Sequence, residues 1–179
     1  MIQVTHTEPT PNPNALKFVT DTTLVGEGAL SFNSPEEAGR DPFAMQIFAL
    51  GNIESVYIQH NFVTVSMRRD PDWDKIQAAV QRNLANFTPI DRAPQAAPAA
   101  APDEDGLLSQ VNEVIDRFVR PALAGDGGGL EIMGIEGNTV LVRYHGACGS
   151  CPSATMGTLV AIENLLRDQI DENLCVQNL

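Results

Sequence analysis

The chain has 179 residues, 43% of them hydrophobic and 19% charged, enough apolar content for one ordinary core or two small ones. Eleven basic against 23 acidic residues leave a net charge of −12, which repels phosphate backbones and anionic lipid and excludes nucleic acid as an expected partner. No uninterrupted apolar run of about 20 residues occurs, so no membrane span is expected, and the opening MIQVTHTEPT lacks the basic start and apolar core of a secretory signal, which points to a cytoplasmic protein.

Thr10-Pro-Asn-Pro-Asn14 is a turn cluster, and the alternation from Ala15 to Val19 predicts a half-buried strand. Ser34, Pro35, Glu36 and Glu37 carry the signature of a helix start, with Met45, Phe48 and Ala49 continuing an apolar face and Asp41-Pro42 breaking the helix in two. Val56 to Ile58 and Phe62 to Val65 flank a His60-Asn61 turn, the pattern of a β-hairpin. Trp73, Ile76, Val80, Leu84 and Phe87 then recur at helical spacing behind a capping Asp72.

From Thr88 to Asp105 the chain holds Pro89, Pro94, Pro98 and Pro102 among alanines and acids, with almost nothing to bury. That composition predicts a semi-rigid linker between two domains. The expected division is a first domain over 1–88, a linker over 89–105 and a second domain over 106–179, two small layered α+β units.

The second half opens with a helical stripe of Leu108, Val111, Ile115, Phe118 and Ala122, disturbed near its end by Arg120-Pro121. Asp126 to Gly129 ends that helix; the glycines read as a turn with positive φ, since the Lys-Ser/Thr of a phosphate loop is missing. Two strands over 130–135 and 139–145 meet at Glu136-Gly137-Asn138. Behind Cys151, Pro152 begins a helix with Leu159, Ile162, Leu166 and Ile170 on its apolar face, and 174–179 offers a last strand.

Three cysteines are too few and too odd for a disulfide framework, so their thiols are reagents or ligands in a reducing compartment. Cys148 and Cys151, separated by two residues, sit at an expected helix start, where free backbone N–H groups stabilise thiolates, and Gly146 and Gly149 let the backbone approach the sulfurs. Four sulfur ligands are normal for a 4Fe-4S or 2Fe-2S cluster, and one loop supplies two. A symmetric pair of chains supplies the other two, so a homodimer with the cluster shared between subunits is expected.

Arg120-Pro121, Asp126-Gly127-Gly128 and Gly146-Ala-Cys148-Gly-Ser-Cys151-Pro-Ser, in this order, resemble the NifU-type C-terminal domain of the Nfu family from about Leu107 onward. Thr10 to Phe18, the pattern around Phe62 to Val65, and Trp73 resemble the Nfu N-terminal domain. The resemblance implies a carrier that assembles or transports 4Fe-4S clusters on a homodimer, receives them from upstream assembly proteins, and hands them to apo iron-sulfur client proteins. Cys148 and Cys151 correspond to the cluster ligands, and the first domain to a docking module. Two departures are visible: Gly129 stands where the family usually has a second acid, and Cys175 is an extra thiol.

Two other readings compete. A thiol-disulfide oxidoreductase also places C-x-x-C between strand and helix, but no proline follows Pro152 and Ala147 replaces the usual tryptophan. A structural zinc site would need His145, Cys148, Cys151 and Cys175 together. Cys175 is expected to pack as a small apolar side chain and His145 to be hydrogen-bonded at a strand end, which leaves both outside the site. No serine or acid pair has the partners for catalysis, so an enzyme is not expected.

Overall fold

The computed structural model describes residues 2–39, 41–69, 71–92, 106–149 and 152–179, with only the backbone course for 92 and 152–155. The linker expectation for 93–105 and the positions of Ser150 and Cys151 lie outside the described residues. The chain divides into two compact α+β units, one on either side of residues 95 and 96.

In the first unit, strands β1 (Val4–Pro9), β2 (Ala15–Thr20), β4 (Ala29–Phe32), β5 (Ile53–Gln59) and β6 (Phe62–Met67) form an antiparallel sheet in the order β1-β2-β6-β5-β4, while β3 (Val25–Glu27) pairs elsewhere. The turn before β2 is closed by its own side chains: Thr10 Oγ1 donates to the Asn12 and Ala15 carbonyls, and Asn14 N–H donates to Asn12 Oδ1. His60 holds the hairpin turn at a φ of 45°.

Helices α1 (Pro42–Phe48) and α2 (Trp73–Leu84) supply the rest of the core, with Phe18, Ile47, Val56, Ile58, Val63, Ile76, Val80 and Leu84 all buried. Asp72 Oδ1 accepts from Lys75 N–H and caps α2 as the sequence predicts.

The helix expected at Ser34 does not form there. Ser34 Oγ accepts from Glu37 N–H at 3.3 Å, yet the chain only turns before α1 begins at Pro42. Pro42 sets where the helix does begin: a proline disfavours helical backbone in the residue before it, and Asp41 is extended, capping the new helix through Ala44 N–H at 2.8 Å. The apolar face consequently comprises Phe43, Ala44, Ile47 and Phe48, while Met45 and Ala49 are exposed.

The start of the linker needs a similar correction. Ile90–Arg92 forms a short strand, β7, that pairs in parallel with β3, so residues 90–92 belong to the first unit.

The second unit packs α3 (Leu107–Val114), α4 (Arg120–Gly125) and α5 (Pro152–Gln169) with the sheet β10-β9-β8. Strand β8 (Gly128–Glu136) runs antiparallel to β9 (Thr139–Gly146), and β10 (Cys175–Asn178) runs parallel to β9. The expected last strand is therefore present.

Between α3 and α4, residues Ile115–Val119 make one π turn, in which Arg120 N–H bonds to the Ile115 carbonyl five residues back. The wider turn lies directly ahead of Pro121, whose ring and missing N–H disturb the ordinary ladder. It shifts the buried stripe to Val111, Ile115, Val119 and Leu123, and it leaves Phe118 47% exposed. The expected core positions Phe118 and Ala122 are thus on the outside.

Candidate functional site

Antiparallel register places Gly128 opposite Gly146 and Leu130 opposite Tyr144. Directly opposed residues share a face, so Gly128, Leu130, Tyr144 and Val142 all look toward the core of the second unit. Gly129 and His145, and likewise Glu131 and Arg143, form the pairs of the other face.

Beyond β9 the chain turns back on itself. Gly146 takes a φ of 64°, Gly149 N–H donates to the Gly146 carbonyl, and Ala147 N–H donates to the Gly127 carbonyl at 3.2 Å. This tight loop turns Cys148 inward, 6% exposed, against the start of β8. A Cβ on Gly128 would stand 2.6 Å from Cys148 Sγ and 2.8 Å from the His145 carbonyl oxygen. Gly128 is thus the floor of a cradle for the Cys148 sulfur. A side chain on Gly149 would crowd the Tyr144 carbonyl at 3.0 Å.

Tyr144, buried in the same cluster as Cys148 and on the same strand face as Gly146, is a polar group that sequence reasoning missed. Its residue is 6% exposed, and its hydroxyl is fully buried with no hydrogen-bond partner among the described residues. Burial, and secondly the charge of a Cys148 thiolate, push the phenol well above its ordinary range, so the O–H stays protonated. The available signal was the inward alternation Val140, Val142, Tyr144 running into the cysteine loop. For Gly128 it was a glycine run longer than a turn at Gly127 requires.

The other candidates fall away from the sulfur. His145 lies on the opposite face, where its Nε2 meets Glu131 Oε2 at 3.3 Å. Cys175 pairs in register with Thr139, at the far end of β9 from Gly146. Seven strand residues at about 3.3 Å each separate those ends by roughly 23 Å. Cys175 is therefore too far from Cys148 to complete the single-chain zinc set of His145, Cys148, Cys151 and Cys175. Cys175 also departs from expectation in being exposed, with Arg167 Nη2 3.5 Å from its sulfur. Among the described residues no cluster of three or more His, Cys, Asp or Glu side chains is placed to hold a metal ion.

The residues present suit a sulfur-bridged cluster. A thiol in a glycine-walled cradle is a soft ligand, the sequence carries a second cysteine three residues on, and the buried Tyr144 hydroxyl on the same inward strand face as Gly146 is a hydrogen-bond donor.

Fold and site together define a class: a two-unit α+β protein whose second unit presents a cradled cysteine loop ahead of a helix. Residues 4–89 match the family profile for the scaffold protein Nfu/NifU N-terminal domain, and residues 111–177 match the NifU-like domain. The chain belongs to the Nfu/NifU family of scaffold proteins.

A human protein named NFU1 iron-sulfur cluster scaffold homolog, mitochondrial, is 28% identical over 172 residues, covering 93% of this chain and 68% of its own length. The Drosophila erecta protein of the same name is 30% identical over 173 residues, and this chain spans 61% of its length. A solution structure of a NifU-like protein from Saccharomyces cerevisiae is 25% identical with a TM-score of 0.44, covering 53% of this chain and 86% of that one.

Proposed function

We propose that this protein carries a labile 4Fe-4S cluster between two copies of itself, held by Cys148 and Cys151 of each copy, and passes it to apo iron-sulfur proteins. A 2Fe-2S cluster fits the same four thiolates. The observation that carries this reading is the Cys148 cradle, walled by Gly128 and the 146–149 loop and followed in sequence, three residues later, by a second cysteine before α5.

Each thiol gives up its proton to solvent as its iron-sulfur bond forms, and the free N–H groups at the start of α5 favour the thiolate. Two ligands per copy leave every cluster half-coordinated until a second copy arrives. Such a cluster departs when the copies separate or when client thiolates displace Cys148 and Cys151 in turn. Met156 and Val160, 72% and 62% exposed and one turn apart on α5, offer apolar surface near the loop, which we assign to the second copy.

The named relatives are described as cluster scaffolds, and the cargo assignment here follows theirs. Upstream assembly proteins would load the pair. Three cysteines, too few for a disulfide framework, suit a reducing compartment such as the cytoplasm. Among the described residues no helix is long and apolar enough to cross a membrane. We assign the protein no catalytic residues: its work is ligand exchange at two cysteines.

Anaerobic reconstitution with iron and sulfide tests the assignment. Cys148→Ala and Cys151→Ala should each abolish stable iron binding, while Cys175→Ser should leave iron content unchanged. Normal iron in either of the first two variants contradicts the site, and loss of metal in the third contradicts the ligand set.

A further inference from the structure

Resting on that reading, we propose that the Tyr144 hydroxyl is a positioning group for the cargo, donating a hydrogen bond to the Cys148 sulfur once that sulfur is bound to iron. The argument begins with placement. Tyr144 and Gly146 are successive inward positions of β9, and Gly146 faces Gly128 across the ladder. Cys148 Sγ occupies the space above Gly128 that a side chain would fill. Sulfur and ring therefore share one face, one pleat apart, a diagonal of about 7–8 Å that a tyrosine side chain spans. Both residues belong to the same buried cluster.

The second step concerns the hydroxyl itself. A buried O–H without an acceptor is costly, and native proteins rarely keep one for no purpose. Tyr144 sits among Leu130, Ile132, Val140 and Val142, where phenylalanine would meet the packing need alone. The polar atom is surplus to the core of the unloaded protein. What loading adds beside it is negative charge on sulfur, and a protonated phenol is a donor for such an acceptor. Hydrogen bonds to ligand sulfurs tune both how firmly a cluster is held and its reduction potential.

The decisive comparison uses the full chain reconstituted anaerobically with iron and sulfide, wild type against Tyr144→Phe, which removes the oxygen alone. Tyr144→Phe should take up the same iron, because both cysteines remain. In the wild type an iron-sulfur stretching band should shift in resonance Raman spectra between H2O and D2O, and in the variant that shift should be lost. The variant should surrender iron to a chelator about two- to ten-fold faster, the range that one net hydrogen bond implies. Its unloaded form should melt at the same temperature or higher, since an unsatisfied hydroxyl has gone.

Identical solvent-isotope shifts and identical chelation rates in the two proteins overturn the proposal. So does a lower melting temperature of the unloaded variant with unchanged spectra, which would make Tyr144 a packing residue. A wild type that never takes up iron contradicts the carrier function instead.

Discussion

Gly128 and Cys148 form the tightest feature of the second unit, and the energetics there are steric. An added methyl would meet both Cys148 Sγ and the His145 carbonyl inside contact distance. Gly128→Ala should therefore cost about 1–3 kcal/mol in denaturant melts of the unloaded protein. Adding Cys148→Ala should recover part of that loss, the sulfur being one of the two obstacles, and a double-mutant cycle reads the coupling. At the opposite face, the acid that the family usually carries at Gly129 would face His145 directly; here Glu131, one pleat away, meets that ring.

Tyr144 gives the residue scale a pH signature. Its folded pKa lies above the unfolded value, so its contribution to stability is complete below about pH 10, the ordinary tyrosine value. Above that the unfolded chain ionises first and stability falls as pH rises. Melting temperature measured from about pH 9 to 11 should fall more steeply in the wild type than in Tyr144→Phe; parallel curves would contradict the buried placement of the hydroxyl. The C-x-x-C spacing proposed here as the ligand pair is a local pattern that the sequence alone displays. The cradle was not legible there, because Gly128 meets Cys148 only through the β8–β9 register.

Among the elements, strands and their turns were the most readable. The hairpin at His60 and the β8–β9 turn at Gly137 (φ 59°) follow from alternation and turn chemistry. The helices were read less well wherever proline intervenes. The capping signature at Ser34 closes only a turn, and the helix starts instead at Pro42 behind an extended Asp41. Ahead of Pro121 a π turn moved the buried stripe by one position, which a strict 3.6-residue period cannot foresee.

That shift has a measurable consequence. Leu123→Ala should destabilise by about 2–4 kcal/mol, since Leu123 is 4% exposed. Phe118→Ala should cost less than about 1 kcal/mol despite removing the larger side chain. Equal losses in thermal or denaturant melts would contradict the π turn.

At the scale of the whole molecule, the two units have separate buried cores, one around Phe18, Val63 and Ile76 and one around Ile115, Val142 and Leu166. All the chemistry proposed here belongs to the second. The family match was legible from the letters because its motifs lie in loops and turns where backbone geometry dictates residue type. The exposure of Cys175 and of Met156 was not, because the burial of a helix or edge-strand residue depends on what packs over it.

The central claim is that one chain supplies half a cluster site, and the mass of the loaded protein tests it most directly. Reconstituted anaerobically and measured by native mass spectrometry, the protein should hold iron only as a pair of chains, with about four irons and four sulfides per pair, and chelation should return it to single chains. A stable cluster on a lone chain would contradict the account.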